Sequence, residues 1–243
     1  MSGGTNGTSN AQDARSIEKN KTFFADNSAY AENVAELDTY RNIRAVIDAQ
    51  VRGSHRLLDI GNGGVFDYDT SLADSIVGVD LFLDETSVPD LPKNVTLRRG
   101  DALALDEGDG SYDRVLLALV FHHLAGRTAM ETVANIRQAI KEAHRVLEAG
   151  GRLVTLESCV SKRFYAIERQ LFRPLTLIAG TPLMQHPATL QLPPRMIADL
   201  IGEAFQDVKI ERVPIGRWVL QFGLRWPSAL TPARPFLITA TKS

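Results

Sequence analysis

Hydrophobic residues follow two different spacings along the chain, and the spacing changes near residue 52. From about residue 29 to 51 apolar side chains recur every three or four positions, which is typical of an amphipathic helix. Beyond it, short apolar runs stand between turn residues, as expected of strands in a buried sheet. The strands predicted in this region are 56–60, 75–79, 95–98, 112–118 and 151–157.

The second half of the chain mixes helices with strands. The spacing predicts a long helix over 128–147, which should end at "EAGG", with Gly150 and Gly151 as its cap and turn. A helix over 194–205 begins with Pro194, a residue suited to a first helical turn. Strands at 207–213 and 235–242 follow. Strands that alternate with helices predict an α/β fold with a parallel sheet covered on both faces.

Composition places three segments outside this core pattern. Residues 1–18 are rich in Gly, Ser, Thr and Asn and are predicted to be a disordered tail. Residues 19–52 are predicted to form a helical lid, and 158–192 an inserted helical cap. We therefore expect one domain over 19–243.

Charge and cysteine content limit the classes of partner and of metal site that the sequence predicts. The 243 residues carry a net charge of −2, so no basic surface favours a nucleic acid as partner. The single cysteine, Cys159, can form neither an intrachain disulfide nor a cysteine-based metal site. We see no secretory signal and no run of about 20 apolar residues that could span a membrane. A cytoplasmic protein without membrane or nucleic-acid partners is expected.

The stretch "LLDIGNGG" is the first candidate for chemistry. A strand ends at Ile60, glycines follow at 61 and 63, and a helix is expected to start after them. Such a turn lets the backbone approach a nucleotide-like ligand at the carboxyl edge of a parallel sheet. A dinucleotide site of the G-x-G-x-x-G type would need glycine at position 66, where this chain has Phe66. A glycine-rich surface turn is the alternative.

Polar residues follow the next strands in the same way. Asp80 ends the strand "SIVGVD", 21 residues after Asp59, where an acidic side chain can accept hydrogen bonds from both ribose hydroxyls. Asp101 follows the third strand. His122 and His123 follow the fourth strand, and "RVLEAGGRLV" precedes and enters the fifth.

Taken together, these features resemble the class I S-adenosylmethionine-dependent methyltransferases. "LLDIGNGG" resembles the first motif of the family, "VGVD" the acidic end of its second strand, and "GDALAL" the loop beside adenine. "RVLEAGGRLV" resembles the sequence that leads into the fifth strand. The chain departs from the common pattern at Val65, where a further glycine is usual. The resemblance implies a Rossmann-like, doubly wound, seven-stranded and mostly parallel sheet whose last strand is antiparallel.

The resemblance also implies roles for particular positions, with S-adenosylmethionine as cofactor and S-adenosylhomocysteine as product. The first motif would surround the methionine moiety, Asp80 would bind the ribose, Asp101 and Ala102 would meet the adenine, and 118–121 would line the sulfonium end. Tyr30, with Phe23 and Phe24, would close a lid. The predicted cofactor residues are Tyr30, Asp59, Gly61, Asn62, Gly63, Asp80, Leu81, Asp101, Ala102, Ala118 and Leu119.

Transfer to a hydroxyl usually also needs a base, and histidine suits that role at neutral pH. The candidates are His122, His123 and His186. For His122 and His123, a structural role in which a backbone hydrogen bond holds the ring is an equally good interpretation. His144 is expected to be structural, and Glu157 could face the substrate. Cys159 is not expected to be a nucleophile. No third ligand accompanies the paired histidines, so no metal is predicted.

The segments outside the core are apolar and aromatic, which favours a closed pocket for a small, partly hydrophobic acceptor. The leading prediction is methylation of an oxygen or nitrogen of a small molecule of secondary metabolism. Three alternatives stay open: a methyltransferase for RNA or protein, a nicotinamide-dependent oxidoreductase, and an inactive cofactor-binding protein. A homodimer is one option for the oligomeric state.

Overall fold

The computed structural model of the protein describes residues 37–83, 91–178, 189–221 and 224–243. Several sequence predictions therefore lie outside the described residues. They are the tail at 1–18, the lid aromatics Phe23, Phe24 and Tyr30, the first part of the N-terminal helix, and His186.

The fold is built on nine strands and four α-helices of the described residues. The helices are α1 (Asp38–Val51), α2 (Ala129–Val146), α3 (Lys162–Ile178) and α4 (Pro194–Gly202). The strands are β1 (Leu57–Ile60), β2 (Ile76–Asp80), β3 (Val95–Arg99), β4 (Tyr112–Ala118), β5 (Leu147–Cys159), β6 (Gln206–Arg212), β7 (Trp218–Gln221), β8 (Leu224–Pro227) and β9 (Arg234–Thr241).

Seven strands form one sheet in the order β3-β2-β1-β4-β5-β9-β6. Neighbouring pairs are parallel from β3 through β5, whereas β9 runs antiparallel to both β5 and β6. Strand order reverses between β1 and β4, so the carboxyl ends of these two strands open a crevice. In the register, Ile60 lies beside both Val79 and Leu117. The sequence prediction of a mostly parallel sheet with an antiparallel last strand is confirmed.

Alternate side chains of the central strands enter two separate cores. Leu58 and Leu117 pack in a cluster with Ile136 and Ile140 of α2. Leu57 and Leu116 pack on the opposite face, in a cluster that includes Ile43, Ile47 and Val51 of α1. The remaining large members of the first cluster include Ile197 and Ile201 of α4 and Phe172 of α3. Helices thus cover both faces, as the strand pattern predicts.

Helix α2 spans nearly the range that the sequence predicts, but its C-terminal cap differs. The hydroxyl of Thr128 accepts the backbone N–H of Glu131 at 3.1 Å, a side-chain cap of the first turn. The helix ends at Val146, and Leu147 is already extended and pairs with Tyr112. The predicted glycine cap is therefore wrong: burial of Leu147 against the sheet turns the chain directly into β5. Gly150, with φ of +78°, instead turns the chain inside an irregular start of that strand.

The connection after β1 also differs from the prediction. Residues 61–75 contain a short 3-10 turn at Thr70–Leu72 in place of the expected α-helix. The carboxylate of Asp69 caps that turn by accepting the N–H of Ser71 at 3.0 Å. Tyr68 is buried, and its hydroxyl donates a hydrogen bond to Asp59 of β1. This side chain therefore holds the connection against the sheet.

The long connection from β6 to β9 carries a small hairpin of β7 and β8. It lies beside the start of α1, where the hydroxyl of Thr39 donates to the carbonyl of Trp218 at 3.3 Å and accepts the N–H of Gly216 at 3.1 Å. The indoles of Trp218 and Trp226 are 49% and 40% exposed.

Candidate active site

Asp59 lies inside the sheet below the glycine turn. It is 2% exposed, and its Oδ2 accepts hydrogen bonds from the hydroxyl of Tyr68 at 3.0 Å and the amide of Asn62 at 3.1 Å. Burial raises the pKa of Asp59 to about 7, and these two hydrogen bonds oppose that rise. Asp59 therefore anchors the turn from below.

The turn itself depends on glycine at three of four consecutive positions. Gly61, Gly63 and Gly64 have φ of +77°, +60° and +81°, a region that L side chains rarely adopt. A Cβ at Gly61 would lie 2.7 Å from Cγ2 of Val120, whereas a Cβ at Gly63 would meet no atom of the described residues within 4 Å. The backbone is thus tightly packed below Gly61 and open above Gly63.

Val65 does not strain this turn. It is not among the residues with positive φ, and its side chain is 57% exposed. The Asn62 side chain accepts the N–H of Gly64 at 2.9 Å, so the tight turn is complete at Gly64. A β-branched residue is tolerated at 65 because the left-handed conformation has already ended.

Asp80 joins the turn to the end of β2. Its Oδ2 accepts the N–H of Gly63 at 2.9 Å and its Oδ1 accepts the N–H of Phe82 at 2.7 Å. Two backbone donors fix the plane of the carboxylate, and each oxygen keeps a lone pair for a further donor. The group is half-buried at the carboxyl edge of the sheet.

The third strand delivers Asp101 to the same edge. Oδ1 of Asp101 accepts the N–H of Leu103 at 2.9 Å, which forms a tight turn, and Ala102 packs on the core beside it. The N–H of Gly100 donates to the carbonyl of Asp80 at 3.1 Å, so the ends of β2 and β3 are tied together.

The end of β4 carries a strained residue. Leu119 has φ of +60°, and its N–H donates to the carbonyl of Leu156 at 2.7 Å. A non-glycine residue in this region costs free energy and is a mark of functional sites. The conformation turns the chain from Ala118 into the short 3-10 segment Phe121–His123.

His122 is held in this segment by Glu157 of β5. Its Nδ1 lies 2.5 Å from Oε1 of Glu157, and the two side chains are 12% and 2% exposed. The carboxylate also accepts the N–H of Phe121 at 2.8 Å and that of Ser158 at 2.8 Å. Because Nδ1 faces a carboxylate, we assign its proton to Nδ1 and leave Nε2 as an acceptor.

Glu157 therefore does not face the substrate, contrary to the sequence expectation. It is 1% exposed, and both of its oxygens accept donors from the protein. Its side chain orients the loop and ring of His122.

The other sequence candidates occupy different environments. The His123 ring stacks at 4.1 Å between centroids, tilted, on that of His122. His144 packs edge-on against Phe205, and burial lowers its pKa, consistent with a structural role. Cys159 is 1% exposed, and burial raises the pKa of its thiol, so it is an unreactive core residue.

Sequence reasoning missed Tyr68, Glu168 and Gln191. Glu168 stands on α3 between Tyr165 and Phe172, which pack on the core. A charged residue within an apolar helical stripe was a readable signal for an inward carboxylate. Tyr68 and Gln191 lie in irregular segments, where no periodicity marks the inward side chains.

Comparison with known proteins identifies the domain. A family model described as "Methyltransferase domain" matches residues 58–155, which contain the glycine turn, Asp80 and the end of β4. Residues 58–155 are therefore similar to a methyltransferase domain, in agreement with the resemblance that the sequence motifs show.

Relatives of the methyltransferase domain agree with this assignment. A curated protein of Encephalitozoon cuniculi, provisionally named a methyltransferase, is 31% identical over 145 residues. The match covers 56% of this chain and 65% of that protein, so the chain spans just under two thirds of its curated relative.

Solved structures share the fold at low identity. The complex of the Haloferax volcanii Trm112 methyltransferase activator with a methyltransferase partner gives a TM-score of 0.61 at 13% identity, covering 91% of this chain and 96% of that chain. The N-methyltransferase NodS of Bradyrhizobium japonicum gives 0.52 at 14%, covering 84% and 97%. NodS has also been solved with S-adenosylhomocysteine.

The residues at the edge of the methyltransferase domain fit the cofactor of the family. The space above Gly63 admits a ligand against the backbone, and the fixed carboxylate of Asp80 suits a pair of hydroxyl donors. Within the described ranges, no group of three or more His, Cys, Asp or Glu side chains could hold a metal ion. None of the described helices combines the length and apolar character needed to cross a bilayer.

Proposed function

We propose that the protein transfers a methyl group from S-adenosylmethionine to an oxygen or nitrogen of a small molecule. The observation that carries the acceptor side of this proposal is the buried pair of His122 and Glu157. It stands directly after the strained turn at Leu119, at the carboxyl ends of β4 and β5. A histidine oriented by a buried carboxylate is suited to remove a proton from an acceptor.

The cofactor would lie across the carboxyl ends of β1, β2 and β4. The proposed contacts are those predicted from the sequence: Asp59, Gly61, Asn62, Gly63, Asp80, Leu81, Asp101, Ala102, Ala118 and Leu119, with Tyr30 from outside the described residues. Asp59 acts indirectly, because it holds Asn62 and Tyr68 rather than facing the open side of the turn. When bound, S-adenosylmethionine supplies an electrophilic methyl group on a positively charged sulfur.

The chain's own task is then to align the acceptor, accept its proton and exclude water. We propose that Nε2 of His122 accepts the proton, while Glu157 holds the ring and balances the charge that it gains. The residues at 189–192 help to close this side: the N–H of Leu190 donates to the carbonyl of His122 at 3.4 Å, and that of Val160 to the carbonyl of Leu192 at 3.3 Å.

A small-molecule acceptor is favoured by surface charge and by the additions to the core fold. A net charge of −2 offers no general attraction for a polyanionic RNA. Helix α3 and the hairpin of β7 and β8 add apolar and aromatic side chains around the core instead.

The homodimer remains a prediction, which light scattering of the purified protein would test.

A labelled-methyl assay tests the proposed reaction. The panel contains phenols, amines, amino sugars and carboxylic acids, with bulk tRNA and a protein extract as competing acceptors. We expect label in a small molecule and a fall in kcat of at least about 100-fold for His122→Ala at saturating cofactor, the usual scale for a lost general base. His144→Ala is the matched control, since that ring packs on Phe205.

Label in tRNA or protein alone would overturn the small-molecule acceptor. Wild-type kcat in His122→Ala would overturn the role of the histidine and leave alignment as the source of catalysis.

A further inference from the structure

Glu168 is a half-buried carboxylate on α3, a helix whose exposed side chains are both apolar and charged. On α3 it stands three residues after Tyr165 and four before Phe172, both of which pack on the core. Phe172 is 2% exposed, whereas Ile167, on the opposite side of the helix from Phe172, is 59% exposed. The helical period therefore turns Glu168 toward the sheet.

The carboxylate of Glu168 lies among residues that surround His122. The backbone N–H of Gln191 donates to it, and His122 is near enough to interact with its charge. The side chain of Gln191 is itself engaged, since its Nε2 donates to the hydroxyl of Ser158 at 3.1 Å. Strand β5, the turn at His122, the segment at 189–192 and α3 thus converge around one carboxylate.

One oxygen of this carboxylate lacks a hydrogen-bond partner among the described residues. Oε2 of Glu168 is shielded from solvent and has no hydrogen-bond partner in the part of the chain that the structure describes. A buried carboxylate oxygen without a donor is costly, and such atoms deserve a functional explanation. Burial raises the pKa of Glu168 to about 7, while Gln191 and His122 oppose that rise. A cationic donor at Oε2 would stabilise the ionised form.

We propose that Glu168 binds the methyl acceptor through a protonated amine, so that the protein is an amine N-methyltransferase. This rests on the proposed function and names its substrate class. Glu168 makes the acceptor side acidic, because Glu157 is already hydrogen-bonded to His122, and Arg163 and Arg169 of α3 are exposed to solvent. An ammonium group matches this charge, and a carboxylate or phenolate would be repelled by it.

The bonds, protons and electron pairs of the proposed methyl transfer balance with His122, the acceptor and the cofactor. The bound ammonium gives one proton to Nε2 of His122, which leaves a neutral amine. The nitrogen lone pair then forms the new C–N bond as the S–CH₃ bond breaks, and that electron pair remains on sulfur. The methylated product leaves as an ammonium ion, and His122 returns its proton to water.

Calorimetry tests the inference. Three probes of matched shape are titrated into the protein saturated with S-adenosylhomocysteine. The probes are phenethylamine, 2-phenylethanol and 3-phenylpropionate: a cation, a neutral alcohol and an anion. We expect the amine to bind at least tenfold more tightly than the alcohol, about 1.4 kcal/mol. Glu168→Gln should abolish this preference, and Glu168→Asp should retain part of it. Glu211→Gln, on the exposed edge strand β6, should leave it unchanged.

The outcomes separate this inference from the reaction on which it rests. Equal binding of amine and alcohol, binding of no probe, or a preference that survives in Glu168→Gln would overturn the amine site. An amine preference that depends on Glu168, without methylation of any acceptor in the labelled assay, would support the amine site and overturn the proposed reaction. Thermal unfolding at pH 7.5 checks that each variant is folded.

Discussion

Asp80 is the side chain on which we propose that cofactor binding most depends. Its two oxygens already accept the backbone N–H groups of Gly63 and Phe82, so its orientation is fixed before a ligand arrives. Preorganised, charge-assisted hydrogen bonds are stronger than those of a mobile side chain. The same carboxylate supports the glycine turn, so its removal should disturb both the ligand contact and the turn.

We therefore expect Asp80→Ala to weaken binding of S-adenosylhomocysteine at least tenfold, or about 1.4 kcal/mol. Isothermal titration calorimetry measures this change. Asp74→Ala is the matched control, because Asp74 precedes the other end of β2 and pairs with His55 in solvent. Equal affinities of Asp80→Ala and the wild-type protein would remove Asp80 from the site.

Asp59 makes a prediction about stability and pH. Its pKa is about 7 in the folded protein and roughly 3.9 in an unfolded chain. Between these values the folded state holds a proton that the unfolded state has released, so this group lowers the free energy of unfolding as pH rises, by at most about 1.4 kcal/mol per pH unit. Asp59→Asn removes that dependence, and its carbonyl can replace the single oxygen that accepts both Asn62 and Tyr68.

The melting temperature of Asp59→Asn relative to wild type should therefore rise from pH 5 to pH 8, as measured by scanning calorimetry. Asp199→Asn, a change at an exposed position of α4, should show no such trend. A constant difference between Asp59→Asn and wild type across this range would mean that Asp59 is ionised in the folded protein.

At the scale of elements, the turn after β1 combines backbone strain with close packing. Gly61 lies against Val120, the residue that follows the strained Leu119, so this turn and the end of β4 are in direct contact. Gly63 has the same kind of backbone conformation but open space above it. Alanine at Gly63 therefore measures the free-energy cost of a positive φ alone, whereas alanine at Gly61 measures that cost together with the cost of steric crowding.

We expect Gly63→Ala to lower the free energy of unfolding by roughly 1–2 kcal/mol, the cost of a left-handed residue. Gly61→Ala should cost roughly 2–4 kcal/mol, because its methyl also collides with Val120. Chemical denaturation of both variants measures the difference. In a double-mutant cycle Val120→Ala should recover part of the loss at 61 and none at 63; equal costs at the two glycines would contradict the packing.

The strands were the elements that the sequence predicted best, and the reason is periodicity. Buried parallel strands read as short apolar runs, so β1 to β5 and β9 could be located within a few residues. The α-helix expected after Gly63 is absent because Tyr68 and Asp69 make specific side-chain contacts that a pattern does not encode. Helix α2 ends where the sequence predicts, but without the predicted glycine cap, because tertiary burial of Leu147 outweighs the glycine signal.

At the scale of the whole molecule, the order of the strands brings together residues that are far apart in sequence. Asp80 and the Gly63 turn meet because β1 and β2 pair in parallel. His122 and Glu157, 35 residues apart, meet because β4 and β5 pair. The carboxyl edge of the sheet, where we propose that the ligand binds, was predicted from the sequence, since each strand end was visible there. The pairing of His122 with Glu157, and the approach of Glu168, depend on packing that only the folded chain shows.

Calorimetric titration of the wild-type protein with S-adenosylhomocysteine, and separately with NADH, distinguishes a site for S-adenosylmethionine from a site for a dinucleotide. The arrangement of the glycine turn, Asp80 and Leu119 predicts one S-adenosylhomocysteine bound per chain and no binding of the dinucleotide, for which Phe66 replaces the needed glycine. Binding of NADH together with no detectable binding of S-adenosylhomocysteine would contradict the account.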